Sequence, residues 1–256
     1  MQNIFGAGLL WGNQTQDADG NTVANSSSIL FGVLQDVSIE VAFDQKMLYG
    51  SDSQFPKAIG NGKGKISVKA KYAGIRGDIF GSLFFGQAVS NGILSIVYDT
   101  VGSVIPATPF VVTPTPPSTG VFLDDKGVIF KAGFIPLKRV ASAPVAGQYS
   151  VNIATGAYTF AAADTGKTVF ISYKYTAPST SAKVSTVIAK PMGYSPSFSL
   201  DLYVPYAGKS MIISLPKCIS NKITFNTKLD DFAIQDFDCE AFQDDNGNIM
   251  TYATSE

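Results

Sequence analysis

The chain has 256 residues, with 19 lysines and arginines against 20 aspartates and glutamates and no histidine. A net charge of −1 supplies no global attraction to nucleic acid or a membrane surface. The missing imidazole removes Ser-His-Asp and Cys-His catalysis, His-ligated zinc and the commonest general base at neutral pH. Abundant glycine, valine, serine, threonine and aromatics beside sparse leucine, glutamate and arginine are strand-and-turn chemistry, on a chain long enough for one large all-β domain or two smaller ones.

Residues 1–12 lack the basic region and long apolar run of a secretory signal, and no stretch is long enough to span a bilayer. The expectation is a protein made and kept in a cytoplasm until it is assembled. Ile4, Phe5, Leu9, Leu10 and Trp11, set among glycines and followed by the polar residues 12–28, read as an amino-terminal arm that orders against a partner; a frayed end is the alternative.

Leu34, Val37, Ile39, Val41 and Phe43 stand against Asp36, Ser38, Glu40 and Asp44, and from Val37 onward the alternation has period two, the pattern of a strand with one buried face. Ile66, Val68, Ala70 and Tyr72 repeat it against Lys65, Ser67, Lys69 and Lys71. Antiparallel pairing of the two would set acidic side chains opposite basic ones. Between them, residues 45–64 form a connection far longer than the two to five residues of ordinary hairpins. It carries Met47, Leu48, Tyr49, Phe55, Pro56 and Ile59 among glycines. Those apolar groups want burial, either back on their own domain or on a neighbouring subunit. Ile75, Ile79, Phe80, Leu83 and Phe84 then recur as one face of an amphipathic helix, with Asp78 to cap its start and Gly86 its end.

Residues 92–98 read as a buried strand. Five prolines in residues 106–120 exclude a helix and a central strand, leaving a connector with an edge strand at residues 110–113. Short strands follow at 121–123 and 128–131, broken by residues 124–127, then a hairpin at 148–153 and 157–161 and a strong strand at 168–175. From residue 186 the first pattern resumes, with strands at 198–204, 211–215, 223–229 and 249–252. The body is therefore residues 1–105 plus 180–256, and residues 106–179 are an inserted β-rich segment, a small sandwich or a set of projecting hairpins.

Chemistry is scarce. Gly60 to Lys65 imitates a phosphate loop but misses its spacing and enters a strand where that loop enters a helix. The turn from Asp244 to Asn248 has oxygen ligands around a glycine without the register or distal glutamate of a calcium loop, and reads as a solvated turn or acidic wall. Cys218 and Cys239 read as two reduced, partly buried thiols, with one disulfide as the alternative. No catalytic, cofactor or metal residue is assigned.

Phe31-Gly32-Val33-Leu34-Gln35-Asp36-Val37-Ser38-Ile39-Glu40, followed by Lys46-Met47-Leu48-Tyr49-Gly50, Phe55-Pro56 and Gly62-Lys63-Gly64-Lys65-Ile66, resembles major tail tube proteins of long-tailed bacteriophages. Residues 193–200, 217–219 and 228–232 extend the resemblance. Gly147-Gln148-Tyr149 and Gly156-Ala157-Tyr158-Thr159-Phe160 look like a β insertion of some virion proteins. The resemblance implies a mainly β protein, a tail-tube-like β-sandwich or barrel with one flanking α-helix and an inserted segment. Six copies would form a ring, and stacked rings a tube that conducts DNA at ejection. It implies tape measure and tail terminator proteins as partners, and residence in the virion tail after assembly in the host cytoplasm.

A conduit for DNA should be neutral or acidic inside, because unpaired cations would hold the phosphates. The strands around Asp36, Glu40, Lys65 and Lys69, together with Asp201, are the expected lumen-facing set; the carboxylates of residues 230–245 are the alternative wall. The competing function is a phage decoration or host-binding β-sandwich that recognises a capsid or a glycan. A carboxylate glycosidase is the third reading.

Overall fold

The computed structural model describes residues 5–50, 52–74 and 76–255. The chain is mainly β, as composition and alternation predict. It divides into two compact units, one from residues 1–89 and 185–256 and the other from residues 90–184.

In chain order the first unit supplies strands β1 (Leu9–Gln16), β2 (Ile29–Leu30), β3 (Val33–Leu48) and β4 (Ala58–Ala73) and a helix, α1 (Ile79–Phe84). The second unit holds β5 (Ser90–Asn91), β6 (Ile93–Val97), β7 (Ser103–Val104), β8 (Val111–Val112), β9 (Val121–Phe130), β10 (Lys138–Arg139), β11 (Gln148–Asn152), β12 (Ala157–Phe160), β13 (Thr168–Ala177) and β14 (Lys183–Val184). The chain returns to the first unit with β15 (Ser197–Tyr206), β16 (Lys209–Ile223), β17 (Ile234–Ala241) and β18 (Thr251–Thr254).

The first unit is an eight-stranded sheet in the order β2-β1-β15-β16-β17-β4-β3, with β18 also on β16. Its named neighbours pair antiparallel. Only Phe31 and Gly32 separate β2 at one end of this order from β3 at the other. So short a link spans about 10 Å at most. The two edges are thereby drawn together, and the sheet wraps around a single core.

Ile66, Val68, Ala70 and Tyr72 of β4, Phe198, Leu200 and Leu202 of β15, and Phe237 of β17 all point into that core, joined by Leu10, Phe31, Ile79 and Leu83. Each of the buried Val, Leu, Ile and Phe side chains contributes about 1.5–3 kcal/mol by leaving water.

Helix α1 is six residues long and wound with a wide turn, its Phe85 amide reaching back five residues to the Phe80 carbonyl. The short amphipathic flanking α-helix expected from the recurrence of Ile79, Phe80, Leu83 and Phe84 is thus a single wide π-helical turn, and Ile75 lies outside the described residues. The start follows the sequence: the Asp78 carboxylate accepts the Ile79 amide at 3.0 Å and grips the Arg76 guanidinium, which also donates to the Leu30 carbonyl at 2.8 Å. Gly86 ends the helix at φ +61°, with the Ala18 backbone nitrogen where a Cβ would press to 2.7 Å.

Three further expectations change. Leu9, Leu10 and Trp11 are no arm: they lie on β1, paired to Tyr203, Leu202 and Asp201 of β15, with Leu10 buried. Phe5 is exposed ahead of that strand, and Ile4 lies outside the described residues. The strands expected at 211–215 and 223–229 are one continuous β16 that stops at Ile223, because its two halves serve different neighbours, β18 and then β17, along the same edge. The boundary expected near residue 105 moves to residue 89, because β6 pairs with β13 and belongs to the second unit.

In the second unit, β13 lies between β9 on one side and β6 and β7 on the other, and β10-β11-β12-β8 form another four-stranded sheet. Phe122, Tyr173 and Tyr175 from the first sheet meet Tyr149, Tyr158 and Phe160 from the second in one core, which makes this unit a β-sandwich. Strand β9 runs unbroken through residues 124–127, absorbing the expected break as irregularities in its register with β13. One of them turns Asp125 inward, where its carboxylate accepts the Tyr149 hydroxyl at 2.7 Å and the Tyr158 hydroxyl at 3.0 Å. Burial, reinforced by that negative charge, pushes both phenols well above their ordinary pKa. Strands β5 and β14 pair Ser90 with Val184 and Asn91 with Lys183, bringing the two ends of the unit side by side.

Candidate functional site

The connection expected at residues 45–64 is mostly strand. Strand β3 continues to Leu48 and β4 begins at Ala58, so the two form one long hairpin with a nine-residue tip. From Val41 to Leu48 and from Ala58 to Lys65 every residue is exposed, although the strands remain paired. Eight residues at strand rise carry this arm roughly 25 Å beyond the sheet.

Its glycines have a local reason at Gly64: the Phe43 ring lies over that position, and an added Cβ would come within 2.7 Å of it. At the tip, the Lys57 amide donates to the Leu48 carbonyl at 2.7 Å, and the Ser53 hydroxyl donates to the Phe55 carbonyl at 2.8 Å. Local bonds therefore shape the tip while its apolar groups stay in water: Phe55 is 77% exposed and Leu48 65%, with Met47, Tyr49 and Ile59 also exposed and Pro56 half-buried. Folding back on the own domain, one of the two sequence readings, does not occur for these side chains.

The second surface is the outer face of the eight-stranded sheet. Asp36 on β3 faces Lys71 on β4, as the alternation suggests, but Ser38 faces Lys69 and Glu40 faces Ser67. The lysines find most of their acidic neighbours on the other side, where β17 sets Asp236 opposite Lys71 and Asp238 opposite Lys69. Lys65 reaches Glu240 at 2.7 Å, an exposed pair worth about 1 kcal/mol at most. Asp201 on β15 lies on the same outer face and accepts the Ser214 hydroxyl at 2.6 Å.

All five residues expected to face a lumen thus share one sheet surface, with Asp236, Asp238 and Glu240 from the alternative acidic wall interleaved among them. Sequence reasoning missed that β17 lies beside β4; the matching alternation of Asp236, Asp238 and Glu240 with Phe237 and Cys239 was the available signal.

A third feature is an apolar groove of about 580 Å³ at the root of the hairpin, lined by Val41, Phe43, Ile66, Phe242, Ile249 and Met250 among others. Phe43, read as a core-facing residue, is 56% exposed there.

The remaining candidates resolve into structure. Cys218 and Cys239 are free, buried thiols on adjacent strands; the hydrogen bond between them, followed by burial, pushes the Cys239 thiol far up and leaves it unreactive. Asp244 spends its carboxylate on its own turn, accepting the Asn246 amide at 2.9 Å and the Asn248 amide at 2.7 Å. Among the described residues no cluster of acidic, cysteine or histidine side chains could hold a metal, and no helix is long and apolar enough to cross a membrane. Compared with known proteins, the chain matches no family model and no curated protein.

Proposed function

We propose that this chain is a structural virion protein that assembles into stacked hexameric rings, the tail tube of a long-tailed bacteriophage, through which DNA leaves the particle. One observation carries the reading: a long paired hairpin stands clear of the sheet with its apolar side chains in water. An isolated protein gains nothing from that arrangement, whereas a second copy that covers those groups recovers the hydrophobic free energy. The outer sheet face supports the conduit role, since carboxylates stand opposite its lysines across the strands and offset their attraction for phosphates. On this reading the partners are further copies of the chain, tape measure and tail terminator proteins, and passing double-stranded DNA.

Electron microscopy of the purified full-length protein at high concentration tests the proposal. Rings or tubes support it, and a monodisperse monomer at all concentrations overturns it. The competing reading, a decoration or host-binding protein, draws on the second unit, whose own core and adjoining ends suit a separately displayed module. That protein would stay small and bind a capsid or a glycan.

A further inference from the structure

The hairpin tip needs a receptor, and the groove at the hairpin's root has the matching character. A hairpin cannot serve itself here: Phe43 and Gly64 are at once the arm's root and the groove's wall, while the tip lies about five residues, roughly 17 Å, farther along the same strands. Only another molecule can bring a tip to this groove.

The areas are of the right order. The exposed parts of Met47, Leu48, Tyr49, Phe55 and Ile59 amount to roughly 500 Å² of apolar surface, a large share of the ~800 Å² that each partner of a stable interface covers. Charge agrees as well. Lys57 at the tip makes no ion pair among the described residues; at the root, Lys65 lines the groove but is engaged by Glu240 at 2.7 Å, and the adjoining turn, whose Gly247 lines the groove, carries Asp245, 97% exposed, 3.6 Å from Lys217 and open to a second cation.

We infer that the groove formed by Phe43, Ile249 and Met250 receives the hairpin tip of a second copy of this chain, with Phe55 and Tyr49 entering it and Lys57 set against Asp245. The contact joins two different patches, so it runs head to tail and propagates from copy to copy until it closes a ring or extends a filament. The inference rests on the self-assembly reading and supplies its missing half, the surface to which the arm binds.

Disulfide trapping decides it. In the full-length chain, F55C/I249C is assembled and oxidised with diamide, beside F55C/L9C as control; the native thiols are buried and do not compete. The expected result is a ladder of covalent multimers for the first variant and none for the second. Rings by microscopy without that ladder, or with equal ladders, overturn the groove and leave self-assembly standing. A wild-type chain that never assembles overturns both. Should the double variant not fold, Ile249→Asp decides instead: it should raise the concentration needed for assembly about tenfold or more, as loss of a central contact does, whereas Leu9→Asp should not. Equal effects from the two overturn the inference.

Discussion

Phe31 meets Phe237 edge-on, with ring centroids 5.1 Å apart and planes at 76°, so the residue that links the two ends of the strand order is packed on the middle of the sheet. Tyr72 meets the same ring of Phe31 at 5.6 Å. Phe31 is fully buried, so Phe31→Ala should leave a cavity between sheet and helix and cost about 3–5 kcal/mol. The urea midpoint of the purified protein, followed by circular dichroism, measures it. A loss below 1 kcal/mol would mean that the sheet does not depend on this closure.

The hairpin predicts the opposite combination. Replacing Leu48 and Phe55 by serine removes exposed apolar surface and touches no core, so the melting temperature should stay within a degree or two. Assembly should nevertheless fail, as seen by sedimentation at concentrations where the wild type pellets. A change in the melt without a change in assembly would show that the tip belongs to the monomer.

Acid sensitivity follows from Asp78. Burial pushes this carboxyl up, but the Arg76 guanidinium and the Ile79 amide outweigh burial and hold it below the ordinary value of 3.8. A group with a lowered folded pKa stabilises fully above its unfolded value, and that stability is lost as pH falls through the folded one. The wild type should therefore exceed Asp78→Asn in stability at pH 6, and the gap should narrow as pH falls below 3.8 toward the lowered folded value. Urea titrations of both proteins from pH 6 downward check the sign; a gap that widens toward acid contradicts it.

In the second unit, Asp125→Ala strands the buried hydroxyls of Tyr149 and Tyr158 and should cost about 2–4 kcal/mol. Asp125→Asn keeps one accepting oxygen and should cost less. Because the unit has its own core, the loss should appear in its own unfolding transition, resolved by near-ultraviolet signals from its tyrosines.

The outer sheet face gives a functional test. Glu40→Lys with Asp201→Lys should leave a folded, assembling protein, since both side chains are exposed. If that face lines a DNA conduit, particles carrying the pair should deliver DNA more slowly, and more so at low salt. Delivery at the wild-type rate would remove these two residues from any lumen.

Legibility followed the range of the interaction. The buried face of β4 was readable because Ile66, Val68, Ala70 and Tyr72 each leave water on one side, which writes period two into the chain. From Lys65 back to the tip the hairpin is exposed on both faces, no period survives, and glycines such as Gly64, which admits the Phe43 ring, look like a loop. Leu9, Leu10 and Trp11 looked like an arm because their partners, Tyr203, Leu202 and Asp201, lie in the last quarter of the chain. Local composition carries no trace of such a pairing.

By itself, then, the sequence determined a mainly β protein without imidazole chemistry, the cap at Asp78, the stop at Gly86 and the alternation that fills one core. These depend on neighbours a few residues away, whose steric and solvation preferences act wherever the chain goes. Tertiary structure alone decided that β17 lies against β4, that the two-residue link at Phe31 closes the sheet, and that the tip of the long hairpin stays in water. Those outcomes depend on which distant strands compete best for the same hydrogen bonds and the same apolar faces, a contest settled only when the whole chain is packed.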